Sequence, residues 1–248
     1  MMCNPSNFEL VCDFNKTFDF PVYPLKTNPL YTETKSCNYR CDLIKEEGID
    51  EFGKAFLENN HIEMLDAVCD HLYVLYGTCY TFGINPDHYI KVKYHNKINY
   101  DVNITELIKE NCEKNITIQE LFESNCELES MLRHSMLLNK NIFEVYPILM
   151  CLIINTYNIG FQLTENLDDA FRNVHESNMS KLCKTIEEAE ETVKDYERKY
   201  NMNESPYDSP YYYELKPNLY VIKNKSTGKA LKSINYTPAN LKQFLKFN

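Results

Sequence analysis

Tryptophan is absent from this 248-residue chain, glycine is scarce with six residues, and basic side chains are outnumbered by acidic ones. The 26 Lys and Arg against 36 Asp and Glu give a net charge of −10. This balance argues against a binding surface for DNA or RNA, because such surfaces need clustered cations. The longest apolar run, Ile148–Ile154, is far too short to cross a bilayer. We therefore expect neither a nucleic-acid polymer nor a membrane as partner.

A secretory signal is also missing from the first ten residues, which lack a basic start followed by an apolar stretch. The ten cysteines contain one close pair, Cys37 and Cys41, without the doubled CxxC spacing of a zinc site. Cys69, Cys79 and Cys151 lie among apolar neighbours, where reduced cysteines behave as small hydrophobic residues. The sequence therefore predicts free thiols and a cytoplasmic protein.

Low glycine content and apolar periodicity predict a mainly helical fold. The predicted helices are Asp42–Leu57, Ile62–Phe82, one opened by the Thr117-x-x-Glu120 capping box, Ile142–Ile159 with a break or kink near Pro147, Leu167–Leu182, and one opened by Thr185-x-x-Glu188 that runs toward Tyr200. The first forty residues are predicted to be irregular and 201–217 a linker. Strands at 219–223 and 229–233 are predicted to form a hairpin, and Thr237-Pro238 a last short helix.

Three acids form a stripe on the second predicted helix. Glu63, Asp66 and Asp70 are spaced i, i+3 and i+7, which places them on one side of the helix. Their neighbours are apolar nearly all round, as expected of a buried helix. Two like charges about 4 Å apart repel by about 4 kcal/mol at an effective dielectric constant of 20. The stripe therefore needs bound protons, Lys or Arg partners, or a hard cation.

The first predicted helix carries a second acidic set, Glu46-Glu47 and Asp50-Glu51. Two antiparallel helices joined at Asn59-Asn60 would bring this set opposite the stripe. Oxygen ligands suit Mg²⁺, with Mn²⁺ as an alternative, and the absence of paired His or Cys argues against zinc. Taken alone, the first set also fits an ordinary solvated helix face. The stripe does not, because its helix offers no other polar side.

Several segments resemble a known superfamily. Leu43–Asp50 resembles the LIxEExxE segment of the all-α NTP pyrophosphatases, which include MazG proteins, dimeric dUTPases and phosphoribosyl-ATP pyrophosphohydrolases, and Glu63–Asp70 resembles their ExxD motif. Val174–Lys181 is similar to the VHxSNMSK signature of a phosphoribosyl-ATP pyrophosphohydrolase-like branch. Ser226–Ala239 is similar to its GKxLKSxxYxPA hairpin, and Asp13–Phe18 to the segment before the first motif helix.

The resemblance implies a single all-α domain over residues 1–248. This domain would be a MazG-like helical bundle with an inserted helical segment at about 88–140 and a small C-terminal β-hairpin at about 219–241. The implied reaction is Mg²⁺-dependent hydrolysis of a nucleoside triphosphate to a monophosphate and pyrophosphate. Members of the superfamily are usually homodimers or homotetramers, so a homo-oligomer is expected.

The resemblance also implies the roles of individual residues. The metal ligands would be Glu46, Glu47, Asp50, Glu63, Asp66 and Asp70, of which Glu47 and Asp66 are predicted to be catalytic. Residues that contact the nucleotide would be Asn178, Lys181, Lys229 and Lys232. Asp50 stands where the family usually has Glu, so either Asp50 or its neighbour Glu51 would be the third ligand of the first helix.

Two other functions stay open at this point. The substrate could be phosphoribosyl-ATP instead of an ordinary nucleoside triphosphate, which parallel assays would separate. Alternatively, the chain could be a catalytically inactive helical binding or scaffold protein of the same fold. The presence of an acid at every motif position counts against loss of activity, and a metal titration tests it.

Overall fold

The computed structural model describes residues 4–23, 29–95, 102–113 and 115–246. Helices dominate these residues, so the all-α prediction is confirmed. The helices are α1 (Asn7–Thr17), α2 (Pro29–Thr32), α3 (Thr34–Lys45), a π-helical turn (Glu46–Glu51), α4 (Phe52–Leu57), α5 (His61–Thr81), α6 (Pro86–His95), α7 (Ile104–Asn111), α8 (Ile118–His134), a second π-helical turn (Ser135–Asn139), α9 (Ile142–Leu163), α10 (Leu167–Met179) and α11 (Ile186–Asn201). Strands β1 (Pro210–Lys216) and β2 (Leu219–Asn224) and a 3₁₀ helix (Lys242–Phe244) follow.

The chain divides into two compact units. The first contains Met1–Asn15, Pro21–Arg172 and Leu241–Asn248, and the second contains Lys16–Phe20 and Asn173–Asn240. The predicted metal ligands all belong to the first unit, and the predicted nucleotide contacts all belong to the second. The single-domain organisation, with an insertion at about 88–140, stays a prediction.

Helix α5 is the centre of the first unit, where it packs against α3, α4, the first π turn and α9. Its start is fixed by Asn60, whose side chain accepts a hydrogen bond from the Glu63 amide. Leucine and tyrosine side chains on most of its surface are buried, and the hydroxyls of Tyr76 and Tyr157 lie 2.9 Å apart between α5 and α9. The observed bounds of α5 differ from the predicted Ile62–Phe82 by one residue at each end.

The prediction of an irregular N-terminal region was wrong, because α1 and α3 lie within it. Ser6 and Glu9 form a capping box before α1: the Ser6 amide donates to the Glu9 carboxylate and the Glu9 amide donates to the Ser6 hydroxyl. This Ser-x-x-Glu pattern is visible in the sequence and would have located the helix. Similarly, α3 begins eight residues before the predicted start at Asp42, so that Cys37 and Arg40 become buried helical residues.

Helix α9 runs through Pro147 to Leu163 without a break, so a break near Pro147 and the predicted end at Ile159 were wrong, whereas a kink at Pro147 stays a prediction. Helix α10 ends at Met179, three residues before the predicted end. The predicted last helix at Thr237-Pro238 is not present, and a 3₁₀ turn forms at Lys242–Phe244 instead.

By length and composition, α9 is able to cross a membrane, but half of its apolar segment is buried in the fold. Because a core helix of a folded domain passes the same test, this is weak evidence for a membrane span. Among the described cysteines, none forms a disulfide, as predicted. Cys69 and Cys79 are buried, whereas Cys151 is exposed and not surrounded by apolar neighbours as expected.

The second unit forms a small core between α11 and the hairpin β1–β2, built from Cys183, Ala189, Tyr220, Ile222 and Leu231. A C-terminal hairpin was predicted, but the pairing differs from the prediction. Strand β1 lies in the predicted linker and pairs antiparallel with β2 through a turn at Asn218, whose φ is 60°. Residues 229–231 contribute only an isolated bridge at Ala230 to β2.

Both predicted capping boxes open helices, although only one is complete. The Thr117 hydroxyl accepts from the Glu120 amide, and the Glu120 carboxylate accepts from the Thr117 amide at 2.8 Å. Before α11, Thr185 caps the Glu188 amide, but the Glu188 carboxylate accepts from the Lys184 amide instead.

Replacing Thr117 by alanine is expected to lower the free energy of unfolding by about 1 kcal/mol, the usual value of an N-cap hydroxyl. Urea denaturation followed by circular dichroism measures this change. An unchanged midpoint would show that the cap does not stabilise α8. Thr185→Ser, which retains a capping hydroxyl, serves as the control.

Candidate metal site

The first π turn and α5 lie side by side and run in opposite directions. Gly48 contacts the ring of His71, and Arg40 contacts Gly77 further along the same pair of helices. Glu47 experiences the charge of Asp70 in this register. Extending the register by one turn brings Glu51 level with Asp66. One acid of each set, Glu47 and Asp70, is therefore close to the other, whereas the predicted placement of the whole first set against Glu63 and Asp66 stays a prediction.

Glu47 has a strongly perturbed carboxyl group. Burial, the charges of Asp70, Glu51 and Glu46, and a hydrogen bond with the Glu51 carboxyl together raise its pKa from 4.5 to about 9. A hydrogen bond between two carboxyl groups requires one of them to hold a proton. In the absence of a cation, the crowded acids therefore retain a proton at neutral pH.

The helix geometry separates Asp50 from Glu51. In a π-helix the hydrogen bond joins residues i and i+5, so each turn contains more residues than an α turn. Around the helix axis, the side chain of residue i+4 therefore points in nearly the same direction as that of residue i, and the side chain of residue i+3 points further from that direction. Accordingly, Glu51 contacts Glu47, whereas both oxygens of Asp50 lie 2.6 Å from the Lys45 ammonium, with the Asp50 side chain 57% exposed.

The acids on α5 are more accessible than the sequence indicated. Glu63 is exposed at the first turn of the helix, and Asp66 and Asp70 are half-buried. The expectation that α5 has no solvated face was therefore wrong at this stripe. Asp66 and Asp70 are therefore partly accessible to solvent.

The donor set fits a hard dication. The side chains that shift the pKa of Glu47 are all carboxylates. Oxygen atoms are the preferred ligands of Mg²⁺. The described residues do not form a ready-made cluster of three or more metal-binding side chains. Part of the reason is that Asp50 turns to Lys45 and Glu63 turns to solvent. The acids whose charges reach Glu47 are Glu46, Glu51 and Asp70.

His71 and Gly48 are site residues that the sequence analysis missed. The His71 ring is buried beside the π turn, and burial lowers its pKa to about 3, so the ring is neutral. Nδ1 lies 3.0 Å from the Thr156 hydroxyl of α9, while Nε2 is buried with no hydrogen-bond partner among the described residues. The signal in the sequence was a lone polar residue inside an apolar helix, adjacent to Asp70.

The predicted nucleotide contacts at the end of α10 form a connected group in the second unit. The Lys181 ammonium donates to the Asn178 side-chain oxygen. Ser180 donates to the Ser177 carbonyl at 2.7 Å and accepts from the Thr237 amide at 2.9 Å. The segment 177–181 is therefore held against the segment that follows the hairpin.

Lys229 and Lys232 lie exposed on that same C-terminal segment, and Gly228 before them has a φ of 73°. The Lys232 ammonium lies 4.5 Å from the centre of the Tyr236 ring, and the Tyr236 hydroxyl accepts from Ser177 at 2.9 Å. Tyr236 thus joins the two motifs. No role was predicted for Tyr236 from the sequence.

A separate polar cavity of about 540 Å³ in the first unit contains none of the predicted ligands. The N-termini of α1, α6, α7 and α10 surround it, and the acids that line it lie in their first turns, except Glu165, which pairs with Lys246. Such acids stabilise the positive ends of helices. One of them, Asp87, has a pKa raised to about 6 by burial. Helix capping therefore accounts for this acidic group without a ligand.

One of the comparisons with known proteins is confined to the part of the chain that contains the candidate metal site. The profile of the family described as phosphoribosyl-ATP pyrophosphohydrolase matches residues 11–93. The chain is also 32% identical over 253 residues to Uncharacterized protein L479 of Acanthamoeba polyphaga mimivirus, covering 97% of this chain and 96% of that protein. No solved structure matches significantly. The family match contains every predicted metal ligand and none of the predicted nucleotide contacts.

Proposed function

Because the chain belongs to the phosphoribosyl-ATP pyrophosphohydrolase family of the MazG-like NTP pyrophosphatase superfamily, we propose that it is a Mg²⁺-dependent nucleoside triphosphate pyrophosphohydrolase. The family match supports an activity of the nucleotide pyrophosphohydrolase type without specifying the substrate. The proposed reaction converts a nucleoside or deoxynucleoside triphosphate and water into the monophosphate and pyrophosphate.

The observation that carries this proposal is the crowding of carboxyl groups around Glu47. A structural role would be served better by apolar or oppositely charged residues, since clustered like charges reduce stability. Bound Mg²⁺ would neutralise phosphate charge and polarise the bond between the α and β phosphates. Glu46, Glu47, Glu51, Asp66 and Asp70 would hold it.

The catalytic roles follow from the environments of the two predicted catalytic acids. Bound Mg²⁺ would displace the proton that Glu47 retains in the metal-free protein, which would leave an ionised carboxylate able to act as a general base. We assign Glu47 to the removal of a proton from the attacking water. Asp66 is half-buried on the acidic stripe of α5. Asp66 would help to hold the cation that contacts the substrate phosphates.

Asn178, Lys181, Lys229 and Lys232 stay the predicted nucleotide contacts. Lysine suits phosphate oxygens as a compact point charge, and Lys181 and Lys232 belong to a group of motif residues connected through Asn178, Ser177 and Tyr236. The Asn178 side chain already orients Lys181. Homo-oligomer formation and a cytoplasmic location stay predictions.

The activity is tested with purified protein, Mg²⁺ and a panel of ribo- and deoxynucleoside triphosphates in ¹⁸O-labelled water. Attack at the α phosphorus places the label in the monophosphate and releases unlabelled pyrophosphate. Asp66→Ala is expected to abolish both products. Release of inorganic phosphate without pyrophosphate would contradict the proposal and indicate a different hydrolase.

A second candidate substrate is phosphoribosyl-ATP, which is favoured by the description of the matched family. The same labelled-water assay with this compound, beside dUTP and dCTP, separates the two by the ratio of their kcat/KM values. If neither class of substrate reacts and a titration with Mn²⁺ shows no binding, the inactive scaffold protein is the correct interpretation.

The choice between the two possible third ligands yields a sharp prediction. Glu51→Gln is expected to weaken Mg²⁺ binding by about 10- to 100-fold, the range for disturbing one group around a metal. Asp50→Asn is the matched control and is expected to retain wild-type affinity, because Asp50 pairs with Lys45. Isothermal titration with Mn²⁺ measures both. The reverse order of effects would show that the bound state has an α turn in place of the π turn.

A further inference from the structure

His71 connects the acidic turn to the core of the first unit. The residue lies on α5 beside Asp70 and is 2% exposed. On one side its ring contacts the Thr156 hydroxyl of α9, and on the other it touches Gly48 of the π turn. None of the roles assigned above includes His71.

The hydrogen bonds of Thr156 fix the tautomer of the His71 ring. The Thr156 hydroxyl donates its one proton to the Leu152 carbonyl at 2.7 Å. It can therefore only accept from His71, so Nδ1 of the neutral ring carries the proton. Nε2 is a bare acceptor, buried and without a partner among the described residues. The ring is thus held from the α9 side and has no polar contact toward the π turn.

Contact between the ring and the π turn is steric and close. A Cβ atom at residue 48 would lie 2.3 Å from Nε2 and 2.4 Å from Cδ2 of His71. Only glycine fits there, even though glycine is disfavoured inside helices. The ring occupies the space that a side chain of the turn would need, directly after Glu47. A π turn is itself uncommon and is found frequently at functional sites.

We propose that His71 is a positioning residue that holds the π turn through Gly48, so that Glu47 and Glu51 share one face opposite Asp70. Without this contact, the turn is free to relax to an α-helix, in which the Glu51 side chain is offset by about 40° around the helix axis from that of Glu47 instead of lying nearly in line with it. The inference rests on the proposed function, because it assigns His71 to the placement of the metal ligands.

Two measurements test the role of His71. Mn²⁺ affinity is measured by isothermal titration, and hydrogen exchange of the backbone amides of residues 46–52 is followed by mass spectrometry in metal-free protein. His71→Ala is expected to lower Mn²⁺ affinity by about 10- to 100-fold and to speed exchange in the turn. Leu75→Ala is the matched control, since Leu75 is fully buried one turn further along α5. It is expected to lower thermal stability without either effect.

Two further variants keep the test valid if His71→Ala does not fold. Thr156→Val has nearly the same shape and removes the acceptor of the His71 Nδ1 proton, so it is expected to lower Mn²⁺ affinity by about 10-fold. Gly48→Ala is expected to bind Mn²⁺ weakly, and the double variant Gly48→Ala with His71→Ala to bind it better, because the methyl group then has room.

The outcomes separate this inference from the proposed function. Equal Mn²⁺ affinity and equal exchange in His71→Ala and Leu75→Ala would overturn the positioning role. If wild-type protein binds no Mn²⁺, the proposed function loses its metal site, and the exchange rates of the turn alone decide whether His71 holds it.

Discussion

Glu47→Gln is expected to reduce the rate of pyrophosphate release by about 10²- to 10³-fold, the range for removing one group that stabilises charge in a transition state. The carboxyl group of Glu47 is the best-placed proton acceptor, and it lies among the groups that would hold the cation. Glutamine has the same shape but neither accepts the proton nor supplies a negative charge.

The same substitution is expected to stabilise the metal-free protein at pH 8. It removes the group that experiences the charges of Asp70, Glu51 and Glu46. A rise in melting temperature together with a loss of activity would identify Glu47 as a functional residue retained at a cost in stability. Thermal denaturation in EDTA and the labelled-water assay measure the two effects.

Glu58→Gln is the control for this pair of measurements, because Glu58 is exposed and lies at the end of α4. It is expected to leave both the rate and the melting temperature unchanged. If Glu47→Gln retains more than about a third of the wild-type rate, far above the residual activity expected, the assigned role of Glu47 is wrong.

The metal-free protein is expected to lose stability as the pH rises from 6.5 to 8. The pKa of Glu47 is about 9 in the folded chain against an ordinary value of 4.5, so in this interval the folded state holds a proton that the unfolded state has released. The stability from this proton is complete below pH 4.5 and disappears as the pH approaches 9. One proton corresponds to about 1.4 kcal/mol per pH unit, which gives a loss of about 2 kcal/mol.

Comparison with Glu47→Gln isolates this contribution from those of other groups. Asp87 also has a raised pKa, but at about 6 its titration is nearly complete at the start of the interval. His71 acts in the opposite direction, and its contribution is lost only as the pH falls below 6.5. The difference between wild type and Glu47→Gln in urea unfolding at each pH is therefore expected to change by about 2 kcal/mol.

Mg²⁺ is expected to reverse the loss, because a bound dication takes the place of the proton. Titration at pH 7.5 in buffers of different ionisation enthalpy should show release of about one proton per site. A pH-independent difference between wild type and Glu47→Gln, or Mg²⁺ binding without proton release, would contradict a protonated Glu47.

Much of the first unit was predictable because its signals are local. The break at Asn59-Asn60 and the apolar residues that follow it located α5 within one residue, and the spacing of Glu63, Asp66 and Asp70 placed them on one side of it. The Ser6-x-x-Glu9 box before α1 was equally local but was not recognised. Strand β1 was assigned to a linker because its tyrosines become a strand only when paired with β2.

The amino-acid sequence by itself determined the helical class and the two acidic sets, since these follow from residue spacing. Only the tertiary structure decided which of those acids meet. The π turn lies where the buried His71 ring meets Gly48. A contact of this kind cannot be predicted from the rotation of 100° per residue of an α-helix. That contact, between residues far apart in sequence, turns Glu51 toward Glu47 and leaves Asp50 to Lys45.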